Sequence, residues 1–162
     1  MGGDFRATFD RLFPRAERLA RRITGDPSEA EDVAAEALSR AYARWSRLSE
    51  QQYVDGWVLR VTTNLAIDSL RRRSRRAPVE RAHVDDPVVL RLALVAALKR
   101  LPRRQREVIA LRYLTDLSEE DVALALGLAP ATVGTHVHRA LVRLRGTLGT
   151  EFQESDLATD LP

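Results

Sequence analysis

Five of six consecutive positions near the middle of the chain are arginine, and they follow a helical segment that contains Asn64. They are Arg71, Arg72, Arg73, Arg75 and Arg76. A guanidinium group stays charged at any working pH and can pair with a phosphate through two hydrogen bonds. The run can therefore neutralise nucleic-acid phosphates without reading sequence, while the Asn64 amide can hydrogen-bond a base edge. The sequence pI of about 9.9 also favours an anionic partner.

A second set of polar side chains lies in residues 118–145, SEEDVALALGLAPATVGTHVHRALVRLR. Ser118 can cap a first helix, Gly127 can adopt the left-handed turn conformation, and Pro130 suits the first turn of a second helix. The apolar stripe of the second helix consists of Val133, Val137, Ala140, Leu141 and Leu144. The candidate DNA contacts on its polar side are Ala131, Thr132, Thr135, His136, His138 and Arg139. This pattern is typical of a helix-turn-helix that enters the major groove, although these residues alone also fit a hairpin with a merely solvated face.

Good helix formers dominate the rest of the chain and strand-like alternation is rare, which predicts an all-α protein. One helix is predicted to start at Ser28, with Glu31 closing a capping box. Its polar face carries Asp32, Glu36 and Arg40 at i, i+4 spacing, acidic first and basic later, as the helix dipole favours. A helix over about residues 56–73 is predicted to bury Trp57, Val58, Val61 and Leu65.

A stretch with two prolines, mixed charges and no periodicity predicts a flexible linker between two small helical domains. The predicted divisions are residues 1–76, the linker 77–87, residues 88–148 and an acidic tail at 149–162. The tail has little apolar content from Thr150 onward, which predicts disorder. Without cysteine there is no disulfide framework or thiolate metal site. No apolar run has spanning length, so we expect no membrane insertion and a cytoplasmic location.

Three stretches, in order, resemble the extracytoplasmic-function (ECF) group of bacterial sigma-70 factors. The polymerase-binding part of that family's N-terminal domain is similar to ITGDPSEAEDVAAEALSRAYARW. Its promoter-melting helix resembles WVLRVTTNLAIDSLRRRSRR, and its C-terminal domain resembles LKRLPRRQREVIALRYLTDLSEEDVALALGLAPATVGTHVHRALVRLR. The resemblance implies a transcription initiation factor that binds core RNA polymerase, reads the minus-thirty-five promoter element and melts the minus-ten element.

The resemblance also implies roles for the candidate residues. Asp32, Glu36 and Arg40 would contact the clamp helices of the polymerase beta-prime subunit, and the C-terminal domain would meet the beta flap. Asn64 would line a pocket for a flipped base, with the loop at residues 48–55 around it, and the arginine run would anchor the neighbouring DNA backbone. An anti-sigma factor is a further partner that the family implies, and no cofactor is implied.

Three positions depart from the family pattern. Ala35 stands where glutamine is frequent, Gly134 where lysine or arginine is common, and His136 where arginine is common. Ala35 therefore leaves the detailed polymerase contact less well supported by the resemblance, and Gly134 and His136 predict a low upstream-element affinity or an unusual specificity, within the same class of protein.

Two other functions compete with this interpretation. An enzyme is disfavoured because the chain has no phosphate-binding glycine loop, no cysteine, and only three histidines with no metal-binding spacing. A conventional helix-turn-helix regulator would bind duplex DNA tightly without polymerase. The N-terminal half decides against the regulator, because it combines a helix with an acidic face and a helix that ends in arginines. The sensing domain of a regulator requires neither feature.

Overall fold

The structure, a computed structural model, describes residues 4–76 and 87–159. Over these two ranges the chain forms eight α-helices and no β-strand, which confirms the predicted all-α fold. The N-terminal half contains α1 (Phe5–Thr24), α2 (Pro27–Tyr42), α3 (Trp45–Leu48) and α4 (Val54–Arg76). The C-terminal half contains α5 (Pro87–Arg100), α6 (Arg103–Tyr113), α7 (Glu119–Leu126) and α8 (Pro130–Thr159).

The start of α2 differs from the prediction by two residues. Its N-cap is Asp26, whose carboxylate accepts hydrogen bonds from the backbone N–H groups of Ser28 and Glu29 at 2.9 and 3.2 Å. Pro27 occupies the first helical position, where its missing N–H costs nothing. Aspartate followed by proline is thus the stronger start signal here, and the predicted cap at Ser28 is wrong.

Helix α4 is longer and more widely buried than predicted. It runs to Arg76, so the arginine run forms its last turns rather than a segment after it. Val58 of the predicted stripe is fully buried, but Trp57, Val61 and Leu65 are only half-buried. The other buried apolar residues of α4 are Leu59, Ala66, Ile67 and Leu70. This wide buried face arises because α4 packs against α1 and α2 on one side and against α6 and α7 on the other.

The boundaries of the C-terminal half also correct two predictions. Pro87, assigned to the linker, is the first residue of α5, and the remaining linker residues, 77–86, lie outside the described residues. Helix α8 continues to Thr159, so the predicted division between residues 148 and 149 falls within this helix, while the disorder of the tail stays a prediction. Extending a formed helix adds one hydrogen bond per ordered residue and avoids the cost of nucleation, and no proline interrupts the segment.

The two halves share one apolar core. Leu59, Ala66 and Ile67 of α4 belong to the same buried cluster as Val108 of α6 and Val122 of α7. The halves approach each other closely at Gly56, where an added Cβ atom would lie only 2.2 Å from the Cβ of Ala125. Within the described ranges, every helix is too short or too polar to cross a membrane.

Candidate nucleic-acid and polymerase interfaces

The helix-turn-helix forms as predicted, and local hydrogen bonds define it. Ser118 Oγ accepts from the Asp121 backbone N–H at 3.1 Å, and Asp121 Oδ2 accepts from the Ser118 N–H at 3.3 Å, which completes a capping box. Gly127 ends α7 with φ at +64°, a conformation that favours glycine. Pro130 then begins α8, so the orientation of the second helix is set within a dozen residues.

The predicted reading face of α8 is open to solvent. Its exposed residues are Ala131, Thr132, Thr135, His138 and Arg139. The Thr135 hydroxyl donates to the Ala131 carbonyl at 3.0 Å, which leaves its oxygen able to accept from a ligand. His136 differs from the others, because it is half-buried and its Nδ1 makes no hydrogen bond to any described residue. The structure therefore groups five of the six candidates on one surface and sets His136 apart.

Gly134 lies beside the N-terminus of α7. A Cβ atom there would meet Glu119 Oε1 at 3.5 Å, an ordinary van der Waals distance. Packing within the chain therefore does not require glycine at this position, and the structure offers no reason for it.

Asn64, the predicted base-contacting residue, is half-buried between the two halves of the chain. Its Nδ2 donates to Glu107 Oε1 of α6 at 3.3 Å, and its Oδ1 is buried without a hydrogen-bond partner among the described residues. A cleft of about 280 Å³ adjoins it, lined by Asn64, Ile67, Asp68, Arg103 and Arg106. In this conformation the amide is thus occupied by the protein itself.

Glu107 is the residue that the sequence analysis missed. It is fully buried, and it accepts hydrogen bonds from Arg103 at 3.1 Å and Arg104 at 3.2 Å in addition to Asn64. Burial lowers the pKa of the nearby Arg60 below its ordinary value, and the negative charge of Glu107 counteracts this effect. The local signals for this site are the i, i+4 spacing of Arg103 and Glu107 and the i, i+3 spacing of Arg104 and Glu107, both of which are common on solvated helix faces.

The arginine run divides into residues with different surroundings. Arg71, Arg72 and Arg73 are exposed, but Arg73 also bonds to Asp26 at 3.2 Å and Glu29 at 3.3 Å, at the start of α2. The side chains of Arg75 and Arg76 lie outside what the structure describes. Arg71 and Arg72 are therefore open to solvent along their side chains, whereas Arg73 also links α4 to α2.

The candidate polymerase-binding residues form one exposed face of α2. Arg40 Nε lies 2.7 Å from Glu36 Oε1, in an ion pair whose members are each about half exposed. Asp32 and Glu36 also line a cleft of about 360 Å³ together with Arg72 of α4. The structure thus places the proposed polymerase-binding acids next to the proposed DNA-binding arginines.

The first turn of α4 is fixed by charged groups. Asp55 accepts from Arg11 at 2.5 Å and from Arg15 at 2.7 Å, which ties the start of α4 to α1. The hydrogen bond to Asp55 raises the pKa of Arg11. Burial, with the negative charges of Asp121 and Asp55, raises the pKa of Tyr53 to about 12. Tyr53 therefore keeps its proton, and its hydroxyl can donate a hydrogen bond.

Two sigma-70 families match the chain in the order of its halves. The family described as Sigma-70 region 2 matches residues 8–76, and that described as Sigma-70, region 4 matches residues 91–144. An RNA polymerase sigma-E factor of Streptomyces avermitilis is 38% identical over 138 residues, which covers 81% of this chain and 77% of the relative. The ECF RNA polymerase sigma factor SigM of Mycobacterium tuberculosis is 33% identical over 159 residues, with coverages of 92% and 81%.

A solved structure has the same fold. The sigma factor RpoE from Bartonella quintana, in complex with the anti-sigma factor NepR, superposes with a TM-score of 0.53 at 24% identity. The likeness covers 90% of this chain and 97% of that one.

The two domains in this order, with the exposed faces of α2 and α8, define a sigma factor. The chain belongs to the sigma-70 family, in its extracytoplasmic-function group. Members of this class give RNA polymerase its promoter specificity, and a conventional regulator that acts without polymerase is not favoured.

Proposed function

We propose that this chain docks on core RNA polymerase through α2 and directs it to promoters. Asp32, Glu36 and Arg40 contact the clamp helices of the beta-prime subunit, and the C-terminal half meets the beta flap. The observation that carries the proposal is the placement of two exposed charged faces on one chain. An acidic face on α2 adjoins the arginines of α4, and a polar face covers the second helix of a helix-turn-helix.

The proposed promoter contacts divide between the two halves. Helix α8 enters the major groove of the minus-thirty-five element, where Arg139 reads a base and Thr135 and His138 meet base edges or phosphates. Ala131 and Thr132 lie at the start of this face. Helix α4 captures the melted minus-ten strand, and Asn64 forms a hydrogen bond to an extruded base. Extrusion costs a few kcal/mol of lost base stacking, and this contact offsets part of that cost.

The arginine run supplies the sequence-independent part of binding. Phosphates beside the melted strand are neutralised by Arg71, Arg72, Arg75 and Arg76. Arg73 joins them when it exchanges its ion pairs with Asp26 and Glu29 for a phosphate. His136, which is half-buried beside this face of α8, is proposed to contact promoter DNA as well.

The domain organisation completes the proposal. Residues 1–76 and 87–148 act as the two functional domains, with Pro87 moved from the predicted linker to α5, and residues 77–86 connect them across the polymerase. An anti-sigma factor binds the free protein, and the protein works in the cytoplasm as a non-catalytic factor without a cofactor.

The decisive experiment measures promoter opening across a pool of genomic fragments, from the permanganate reactivity of melted thymines. Core polymerase and this protein are tested alone and together. We expect opening only when both are present, and loss of opening when Asp32 and Glu36 are both replaced by lysine. Stable duplex binding by the protein alone, with no polymerase-dependent opening, would instead establish the regulator.

Base readout by α8 has its own test. Arg139→Ala should weaken recognition of the upstream element by about 1–3 kcal/mol if the side chain reads a base. Arg143→Ala, which changes an exposed arginine one turn further along α8, is the matched control. An unchanged promoter preference in the Arg139 variant would reject its role.

A further inference from the structure

A carboxylate of α7 lies beside the one residue of α8 that has no side chain near the start of its proposed reading face. An added Cβ atom at Gly134 would meet Glu119 Oε1 at 3.5 Å, and apart from its chain neighbours no other described side chain comes within 4 Å of that point. Glu119 is the first residue of α7 and is half-buried. Its carboxylate forms no hydrogen bond or ion pair within the part of the chain that the structure describes.

Gly134 belongs to the same stripe of α8 as three of the proposed DNA contacts. Ala131, Gly134, Thr135 and His138 follow i, i+3, i+4, i+7 spacing, so they point to one side of the helix. Ala131 is short, and the Thr135 hydroxyl turns back to the Ala131 carbonyl at 3.0 Å. The first two turns of this stripe therefore carry no long side chain, and the Glu119 carboxylate lies at their edge.

The fold of the helix-turn-helix does not account for this carboxylate. The capping box of α7 is complete with Ser118 and Asp121. Glu120 and Asp121 also lie in the first turn, where negative charge favours the helix dipole. A dipole role is thus shared by three acids, whereas the approach to Gly134 belongs to Glu119 alone.

A carboxylate at a major groove distinguishes the bases by their donors. Cytosine presents its N4 amino group there, which can donate to a carboxylate oxygen. Guanine presents only the acceptors O6 and N7, which repel a carboxylate, and adenine places its N7 acceptor beside its N6 amino group. A carboxylate therefore favours cytosine most and guanine least.

The arrangement of the two helices brings this carboxylate to the groove. In a helix-turn-helix the first helix crosses the DNA backbone while the second lies in the major groove. A side chain at the start of the first helix reaches base edges only where the second helix leaves room for it. Gly134 leaves that room beside Glu119 Oε1.

We propose that Glu119 is a specificity-determining residue of the helix-turn-helix, which accepts a hydrogen bond from a cytosine amino group of the upstream element across the gap at Gly134. The reading surface then consists of α8 together with the first residue of α7. This inference rests on the proposed function of α8, and its test includes a separate readout for that function.

The test selects DNA with the complete chain bound to core RNA polymerase. A pool of promoter-length duplexes of randomised sequence is incubated with this holoenzyme, and the retained duplexes are sequenced to give the base preference at each position. Glu119→Gln keeps the shape of the side chain but replaces the carboxylate by an amide, which pairs best with adenine. Glu120→Gln, at an exposed neighbour in the same turn, is the matched control. Circular dichroism at 222 nm checks that each variant is folded.

We expect the unmodified chain to enrich cytosine at one position of the upstream element. Glu119→Gln should lower the ratio of cytosine to adenine at that position by about fivefold or more, and Glu120→Gln should leave it unchanged. Gly134→Lys should change the enriched base from cytosine to guanine, because the lysine ammonium pairs with the carboxylate and donates to guanine acceptors.

Three results would overturn the proposal. An unchanged base preference in folded Glu119→Gln, with a motif that Arg139→Ala does alter, would leave reading by α8 in place and limit Glu119 to the helix dipole. Tighter binding of all duplexes by Glu119→Gln with the same motif would show only repulsion of phosphates. Failure of the unmodified holoenzyme to enrich any upstream motif would overturn the proposed reading by α8 together with this inference.

Discussion

The proposed polymerase contact can be tested by reversing one charge on α2. Glu36→Lys changes an exposed side chain whose described ion-pair partner is Arg40, at 2.7 Å. The variant loses this i, i+4 ion pair with Arg40, but the new lysine side chain at position 36 can form an i, i+4 ion pair with Asp32. Each such surface pair is worth about 0.3–0.5 kcal/mol, so the free energy of unfolding should change by less than about 0.5 kcal/mol.

The effect on polymerase binding should be much larger. Disrupting one partner of a desolvated interfacial charge pair costs about 2 kcal/mol or more, which is roughly a 30-fold loss of affinity. The melting temperature should nevertheless stay within about 2 °C of the unmodified chain, given the size of the protein. Weaker binding to core RNA polymerase at an unchanged melting temperature would show that Glu36 contacts the polymerase and is not needed for folding.

The assay compares the dissociation constant for core RNA polymerase with the thermal midpoint of each variant. Glu31→Lys is the matched control, because Glu31 is exposed on the same helix and points roughly 100° away from Asp32. Equal weakening by both substitutions would indicate a general charge effect. Unchanged affinity in Glu36→Lys would refute the assignment of this face to polymerase.

Three further predictions concern stability. Ser118→Ala removes one side of the capping box and should cost about 1 kcal/mol, seen as a melting temperature about 2–4 °C lower; Ser118→Asp, which can still cap α7, should restore most of it. Leu38→Ala, at a fully buried position, should cost about 2–5 kcal/mol in urea unfolding, while Leu124→Ala, at an exposed one, should cost far less, and similar losses would contradict the core assignment. Tyr53, whose pKa is raised to about 12, binds its proton more tightly when folded, so its contribution to stability is complete below about pH 10 and is lost as the pH rises towards 12. Between about pH 10 and pH 12 the free energy of unfolding should therefore fall less for Tyr53→Phe than for the unmodified chain, as measured by chemical denaturation. Equal falls in both proteins would show that burial does not raise the pKa of Tyr53.

The helix-turn-helix was predictable because its signals are local. Ser118 and Asp121 bond within one turn, Gly127 meets a backbone requirement at its own position, and Pro130 starts the next helix. The exposed side of α8 follows from the 100° rotation per residue once the apolar stripe is recognised. Its reading face could therefore be outlined without tertiary information.

The errors at the helix ends have equally local causes. Asp26 outcompeted Ser28 as the cap of α2, because Pro27 fits the first helical position and the Asp26 carboxylate reaches two backbone N–H groups. The last residues of α8 remain helical because they extend an existing helix, which composition alone does not reveal.

The amino-acid sequence by itself determined the all-α class, the helix-turn-helix, the exposed acidic face of α2 and the resemblance to sigma factors, since each depends on residues a few positions apart. Only the tertiary structure decided that Glu107 occupies Asn64 and that Arg73 binds the start of α2. These contacts join residues more than 40 positions apart, and they form because α4 has two apolar sides that bury against different halves of the chain. Periodicity shows that such sides exist, but packing selects which polar groups meet at their edges.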